Sequence, residues 1–412
     1  MIWIYLSHIA NSNKFTGIIR TEYELAKYAR ELQDQFPIAF CRFDPKIGFI
    51  AEKAETVDQA LSRFQKKADG TAHSIPLPYQ NKFQKRIYKT QTSIRKRIRK
   101  LKRQLGLCSH PFNNGDTVIT VGQELGSGDM LDLLCIKQKM NLNVHVMNHD
   151  IIPITHPQYF NRNPKEFIRY MDNTIKAVDE FWCNSEFTKV ELQKYIAGKG
   201  LPQPPMNVVT LGCDIYKQQT GRAISSAVNA LLQDQYLLYV STIEIRKNHQ
   251  VLYHAYLKLL EMGIPNPPKI VFVGAQGWLV DDFLKTLSQD ERVRDRIVIL
   301  NKVSDDELVA LYKNCMFTLY PSFTEGYGLP LAESLSLGKY CLSANTGSLP
   351  EVGGDFVEYC KPDDPQEWAD RIAYLISHPD DLRAKEQYIQ AHYQPASWES
   401  MAKKILNHAL QT

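Results

Sequence analysis

Two carboxylates stand eight positions apart in SFTEGYGLPLAE, residues Ser322 to Glu333: Glu325 and Glu333, set around Gly326, Gly328 and Pro330. An apolar, strand-like segment, Met316–Tyr320, precedes them, and Leu329-Pro330 opens a helix with proline in its favoured first turn. Glu325 therefore falls beyond the carboxyl end of a strand, where open α/β sheets bind ligands. Glu333 falls about one turn into the helix. Carboxylates repel phosphate but accept hydrogen bonds from hydroxyls, while glycine amides at a helix start suit an anion. A sugar nucleotide combines both demands, with hydroxyls on its sugar and its ribose and a diphosphate between them. The alternative is a generic strand–loop–helix turn with two surface glutamates.

Cations come from STIEIRKNHQ, where Arg246 and Lys247 open a helix expected over Arg246–Glu261, just past a strand at Tyr236–Ser241. Positive charge at a helix start opposes the dipole and costs stability unless an anion joins it, which favours a phosphate site over solvated charge. Gly17, in SNKFTGIIRTEYELA past the first strand, would let a helix N-terminus approach a phosphate from the opposite side. Gly274 and Gly277, in VFVGAQGW, stand past another strand. His149, in NHDIIP after Asn143–Met147, offers a neutral imidazole to a sugar hydroxyl, or is a loop histidine paired with Asp150. Metal chemistry is not expected. The chain has no D-x-D triplet and no H-E-x-x-H, and Asp281-Asp282, Asp305-Asp306 and Asp363-Asp364 lie near helix starts, where capping explains them. The absence of G-x-x-x-x-G-K-[ST] and G-x-S-x-G argues against P-loop and α/β-hydrolase chemistry.

The elements that must position these residues alternate. Strands are expected at Ile2–Leu6, Ile38–Phe43, Thr117–Val121, Asn143–Met147, Asn207–Leu211, Tyr236–Ser241, Lys269–Val273, Arg296–Leu300, Met316–Tyr320 and Tyr340–Ser343. Amphipathic helices lie between, including Ile18–Leu32 and Asp305–Asn314, the latter opened by the capping-box spacing Ser304…Glu307. This period predicts βα units and parallel sheets covered on both faces. The length of 412 residues exceeds what one core usually holds, so two domains are expected. The alternation pauses at Leu201–Pro205 and at the polar stretch Tyr216–Ala223, which points to a connection at Cys213–Gln235; the alternative for the proline cluster is a loop before the last strand of the first domain. The domains expected are 1–215, which carries a basic helical insertion at about 82–105, and 216–393. A last helix, 394–412 with Ser397 as N-cap, crosses back to the first.

Hydrophobic content of 44% and charge of 23% are ordinary for a soluble globular chain. No apolar run approaches the roughly 20 residues that span a bilayer. The opening MIWIYLSHIANSNK reads as a first strand, not a signal peptide. Eight scattered cysteines without a C-x-x-C pair point to a reducing compartment, so a cytoplasmic location is expected.

Taken together, STIEIRKNHQ, VFVGAQGW, NKVSDDELVALY, YPSFTEGYGLPLAES and NTGSLPEVGGD, in that order and spacing, resemble the retaining glycosyltransferases of family 4, with the GT-B fold. TGIIRTEYELA, NHDIIP and CNSEFTKVEL are similar to members that build bacterial surface polysaccharides. The resemblance spans nearly the whole chain except about 50–112. It implies an α/β architecture of two Rossmann-like domains facing a central cleft. It also implies transfer of a hexose with retained configuration, without metal or other cofactor, from a GDP- or UDP-linked donor to a glycan or lipid-linked glycan.

Carried over by position, Glu325 holds donor-sugar hydroxyls, and the amides of Gly326, Tyr327, Gly328 and Leu329 hold the sugar and diphosphate. Glu333 takes the ribose. Lys247 and Arg246 stabilise the leaving diphosphate, Gly17 lies near it, His149 lies beside the reacting centre, and Val303 and Leu308 line the base pocket. Two departures stand out. Ser241-Thr242 occupies the place where many members carry a further arginine, and Gly338-Lys339-Tyr340 replaces a common Gly-x-Pro. A binding scaffold without turnover and a sugar-nucleotide epimerase on the same fold remain as alternatives.

The basic charge is local. Lys82 to Arg103 holds eleven Lys and Arg, without which the formal net charge of +4 would be negative, and no Asp or Glu occurs between Gly70 and Gly115. KFQKRIYKTQTSIRKRIRKLKRQLG aligns Phe83, Ile87, Ile94, Ile98, Leu101 and Leu105 on one helical stripe. Arg86, Lys89, Arg95, Lys96, Arg97, Arg99, Lys100, Lys102 and Arg103 fill the other faces. Such a helix suits an anionic membrane surface, which would place the chain at the cytoplasmic face of the inner membrane. The alternatives are a solvated helix packed on its own domain by the same stripe, or weak nucleic-acid affinity; a nucleic-acid partner is not expected.

Overall fold

The structure, a computed structural model, describes residues 1–7, 16–68, 97–123, 125, 128–161, 163–215, 221 and 223–411, with backbone alone for 66–68. The amino-terminal half holds strands β1 Ile2–Tyr5, β2 Ile38–Asp44, β3 Gly48–Glu52, β4 Thr117–Thr120, β5 Asn143–Asn148, β6 Glu180–Cys183 and β7 Met206–Val208. They form one sheet in the order β3-β2-β1-β4-β5-β6-β7. The other half holds β8 Tyr236–Val240, β9 Lys269–Val273, β10 Ile297–Leu300, β11 Thr318–Tyr320, β12 Cys341–Ala344 and β13 Glu358–Cys360, in the order β10-β9-β8-β11-β12-β13.

Both sheets reverse direction of growth at a central pair: β2 lies to one side of β1 and β4 to the other, and β9 and β11 flank β8 in the same way. Such a switch point opens a crevice beyond the carboxyl ends of its strands. The loops after β8 and β11 lie there.

Each strand expected from the sequence is present, with β7 shifted to begin at Met206. Three others have no clear sequence signal. Gly48–Glu52 pairs antiparallel with β2, an exception to the parallel rule, and sits at the sheet edge. Glu358–Cys360 is three residues long, too short to show a period. Glu180–Cys183 begins with a buried carboxylate, which masks it as a core strand.

The last helix, Trp398–Gln411, buries Trp398, Met401, Ala402, Ile405, Leu406 and Ala409, a stripe of three- and four-residue steps. That stripe packs with Leu25, Ala26 and Ala29 of the first helix, Gly17–Glu31, in the core of the amino-terminal half. Ser397 accepts from the Ser400 amide as expected of a cap. Where the chain returns, Cys213 N–H donates to the Ala396 carbonyl at 2.9 Å. A Cβ on Gly212 would lie 2.3 Å from the Trp398 nitrogen, so the crossing requires glycine.

Among the described residues no helix is long and apolar enough to cross a membrane. Of the basic segment, Arg86, Lys89, Arg95 and Lys96 lie outside the described residues, and 97–104 is helical. Its packing corrects the orientation expected for two of its cations. Arg99 and Arg103, one turn apart, face inward and pair with the buried Asp132 at 2.8 and 2.5 Å, and the Arg99 guanidinium lies 3.9 Å over the Phe43 ring. A buried carboxylate demands a partner, and this decides which helix face turns inward. Arg99 and Arg103 therefore do not face outward toward a membrane. Among the described residues of the apolar stripe, Ile98, Leu101 and Leu105 are each more than half exposed and do not form the packing face, while Phe83, Ile87 and Ile94 lie outside the described residues.

Candidate functional site

The loops after β8 and β11, neighbours at the centre of the second sheet, meet through a dense polar knot. Arg246 and Lys247 do not open the following helix as the sequence suggests. They form a 3-10 turn, Ile245–Lys247, and Asn248 at φ 56° redirects the chain before the helix His249–Glu261 begins. The Asn248 amide holds this left-handed position by donating to the Pro321 and Pro362 carbonyls at 3.1 and 2.6 Å. The backbone of the turn is tied on both sides. Arg246 O accepts from Phe323 N–H, and the buried Tyr239 hydroxyl donates to Lys247 O at 2.6 Å.

Both cations then point at Glu325. Lys247 Nζ lies 2.5 Å from one of its oxygens and Arg246 Nη1 2.8 Å from the other. Arg246 also binds Glu244 and the Thr324 carbonyl. Thus the anion that the paired cations require is on the chain itself. Burial would raise the Glu325 pKa, but the Arg246 and Lys247 charges outweigh it and hold the carboxyl down at about 2. Burial pulls the Lys247 ammonium down, with Glu325 only partly opposing. Arg246 is pushed further up, because Glu325, Glu244 and Asp150 overcome its burial.

The loop bearing Glu325 is clasped from behind by NTGSLP. Ser348 Oγ donates to the carbonyls of Glu325 and Tyr327, and Thr346 Oγ1 to that of Ser322. Gly347, at φ 59°, lies so close that a Cβ would stand 2.6 Å from Glu325 N.

Glu333 is held differently. It sits in the helix Leu329–Ser336 and accepts from Tyr312 at 3.2 Å. Its other oxygen is 3.4 Å from Arg20, a fully buried guanidinium of the opposite half that also reaches Asp305 at 3.1 Å. Burial raises the Glu333 pKa against the pull of Arg20.

The amino-terminal half closes on this loop. A Cβ on Gly326 would stand 2.1 Å from the His149 carbonyl, and one on Gly17 3.1 Å from Leu329. Ser185 and Thr188 hydroxyls donate to the Gly326 carbonyl at 2.7 and 3.0 Å, and Tyr327 donates to Leu211 O. The Glu351 carboxylate accepts from the Glu186 and Phe187 amides, at the start of helix Glu186–Gly198. Beside them the Tyr159 and Phe323 rings stack at 5.4 Å, and Trp278 donates to the Tyr159 carbonyl.

The structure thus brings Glu325, Lys247, Arg246, His149, Gly17, Gly326, Tyr327, Gly328, Leu329 and Glu333 to one junction. His149 is buried, and its Nε2 donates to the Val121 carbonyl at 2.7 Å rather than pairing with Asp150. A carbonyl only accepts, so Nε2 carries the ring proton. Val303 and Leu308 pack, partly buried, on the cluster around Val228, Leu238 and Tyr312. The sequence reading misses Arg20, Glu244, Ser185, Thr188 and Ser348. Ser185 and Thr188 had a visible signal in the cap spacing S-x-x-T, and the Ser185 cap is formed. Arg20 had none, because its partners come from 285 and 313 residues away.

Residues 222–405 match the family model described as glycosyl transferases group 1. That match is to a group 1 glycosyltransferase domain and lies in the carboxyl-terminal half of the chain. The chain is 30% identical over 263 residues to an O-antigen chain mannosyltransferase B of Escherichia coli, covering 62% of each protein. It is 33% identical over 123 residues to a serotype-specific mannosyltransferase WbdA of Escherichia coli, covering 30% of this chain and 15% of that one. The chain therefore spans about three fifths of the first of these relatives and a much smaller part of the second. In structure it is similar to HepE of Anabaena crystallised with UDP-glucose, with TM-score 0.66 and 15% identity over 100% of this chain and 99% of that one. A sucrose-phosphate synthase of Thermosynechococcus elongatus gives TM-score 0.63 at 14% identity, covering 100% of this chain and 98% of that one. The glycosyltransferase domain thus lies in a GT-B fold, two Rossmann-like α/β halves facing one junction, as the sequence led us to expect.

Proposed function

We propose that the chain transfers a hexose, with retained anomeric configuration and without a metal ion, from a nucleotide sugar to a hydroxyl of a glycan under assembly. The buried cluster of Glu325 with Arg246 and Lys247, at the switch point of the second sheet, carries this reading. A diphosphate arriving at the loop would draw both cations from Glu325. That frees the Glu325 carboxylate to accept hydroxyls of the donor sugar. As the sugar–oxygen bond breaks, charge develops on the diphosphate, and Lys247 and Arg246 stand ready to stabilise it. These two cations supply what a divalent ion supplies in other transferases. His149 and the loop amides from Gly326 to Leu329 line the reacting end, and Glu333 receives the ribose. Val303 and Leu308 lie beside the base. The names of the relatives favour a mannosyl donor and a cell-surface polysaccharide acceptor, and the UDP-glucose bound by HepE shows that such a fold accepts nucleotide sugars.

The test is transfer from a panel of GDP- and UDP-hexoses to a lipid-linked glycan, with and without EDTA. Product from one donor, unchanged by EDTA, is expected. Donor binding without product would leave a scaffold, and an altered nucleotide sugar without acceptor would mean an epimerase.

We further assign an anionic membrane surface as partner of the segment at 97–107. Exposed Ile98, Leu101, Leu105 and Leu107 there neighbour exposed Arg97, Lys100 and Lys102. Co-sedimentation with anionic but not neutral vesicles, weakened by salt, is expected. Indifference to lipid charge would remove this assignment.

A further inference from the structure

Away from the junction, three side chains with metal-ligating atoms converge from three separate elements. His145 on β5 and Glu180 on β6 are register partners in adjacent strands. His408 comes from the last helix, laid across that face. Their ligand atoms all lie within 4.8 Å of one another. His145 Nδ1 is 3.3 Å, and His408 Nε2 2.6 Å, from the same Glu180 oxygen.

We infer that His145, Glu180 and His408 form a site for a divalent transition-metal ion, zinc being the best fit, which fastens the returning helix to the first sheet. Two imidazoles and one carboxylate are a donor set that zinc takes, with a fourth position left to water. Two ligands held about 2.0–2.1 Å from a tetrahedral zinc lie about 3.3 Å apart, the separation found between His145 and Glu180. The closer His408 is a hydrogen-bonding partner at its present distance. Its side chain is 34% exposed, so a small turn of that ring opens the gap and leaves a path for the ion.

The surroundings are those of a ligand set. The other Glu180 oxygen accepts from Asn207 Nδ2, and this outer bond fixes the carboxylate's orientation. The His145 ring stacks on Trp182 at 5.1 Å and 18°, and the Trp182 and His408 rings meet edge to face. Although burial would raise it, hydrogen bonds from His145, His408 and Asn207 hold the Glu180 carboxyl down at about 2, so it stays anionic in the working range. The site lies four residues before His149 along β5, roughly 13 Å at the rise of a strand, and is distinct from the proposed donor cleft.

The experiment uses the full chain after chelator treatment and needs no sugar nucleotide, so it stands or falls apart from the transfer reaction. Zinc is titrated by calorimetry, and cobalt is followed by its visible ligand-field bands. We expect one ion per chain, cobalt bands of a four- or five-coordinate site, and a higher melting temperature with zinc. In His408→Ala, which alters a partly exposed side chain, zinc affinity should fall by about 100-fold or more, since even outer-shell partners are worth 10- to 100-fold. Asn207→Ala, a second variant outside the ligand set, should weaken zinc by about 10-fold. Equal zinc binding by wild type and His408→Ala, or cobalt without ligand-field bands, would show a hydrogen-bonded triad only and overturn the site.

Discussion

The two glutamates of SFTEGYGLPLAE are held by different halves of the molecule. Glu325 is neutralised by Arg246 and Lys247 from its own sheet, within a loop braced by Ser348 and Thr346 of the same half. Glu333 takes its cation from Arg20, on the first helix of the opposite half. One end of the proposed donor site is thus built into the second half, and the other is completed only when the halves meet. In the proposed site the difference separates chemistry from closure: the cation cluster belongs to one sheet, and the end assigned to the ribose reports the approach of the other.

Breaking the built-in end should have the largest effect. Lys247→Ala removes one of two cations facing the leaving diphosphate, and kcat should fall by about 10²–10³, the loss typical of one preorganised electrostatic partner. Glu325→Gln should lower it similarly, because the amide keeps the shape of the knot but no longer offers the donor-sugar hydroxyls a carboxylate. The fold should survive both changes, which circular dichroism checks. Near-wild-type turnover in either variant would detach the cluster from catalysis.

Breaking the shared end should show first in stability. Arg20→Met leaves Glu333 and Asp305 without their buried cation, a change that costs about 3–5 kcal/mol in comparable sites. Adding Glu333→Gln removes one of the stranded charges and should recover part of that loss in urea titrations. Pyrophosphate affinity of Arg20→Met should stay within about threefold of wild type, since Glu325, Arg246 and Lys247 do not depend on Arg20. A drop as large as that of Lys247→Ala would mean that Arg20 itself holds the diphosphate.

Gly326→Ala probes the contact without touching a charge. A Cβ 2.1 Å from the His149 carbonyl cannot be accommodated while the halves stay together. The variant should be more open by small-angle scattering and turn over about 10-fold slower or worse, with the Glu325 cluster intact.

What was legible in the sequence follows the same division. The Glu325 loop, the capping box at Ser304 and Glu307, and the strands that place them are local features, each written in a dozen residues. Cations near a strand end were visible too, but not that Glu325 is their partner, nor that Asn248 turns the chain so that they precede the helix. The Arg20 bridge was illegible because it joins residues some 300 positions apart. In the basic segment the inward face was illegible for the opposite reason. Its apolar stripe was regular, yet a single buried carboxylate, Asp132, decided which face packs. Periodicity gives a helix its faces, but the partner chooses between them.

The smallest predicted effect concerns pH and again divides the two ends. Glu24, one turn after Arg20 on the first helix, is buried, and its pKa is pushed up to about 7; burial is the main cause, opposed by Arg20 and Lys27. A carboxyl raised from about 4.5 favours the folded state fully below pH 4.5, and this contribution is lost as the pH climbs through 7. The ordering of about two and a half pKa units corresponds to roughly 3 kcal/mol at most. Glu325 has the opposite sign: its pKa of about 2 contributes stability above pH 4.5 that is lost only as the pH falls toward 2. Between pH 5 and 8 the Glu325 carboxylate should therefore stay ionised, while the helix that carries Arg20 loosens. Glu24→Gln, which keeps the neutral form at every pH, should flatten the melting-temperature profile over that range and raise its value at pH 8. Melting curves of wild type and Glu24→Gln that run parallel from pH 5 to 8 would show that Glu24 does not make the shared end sensitive to pH.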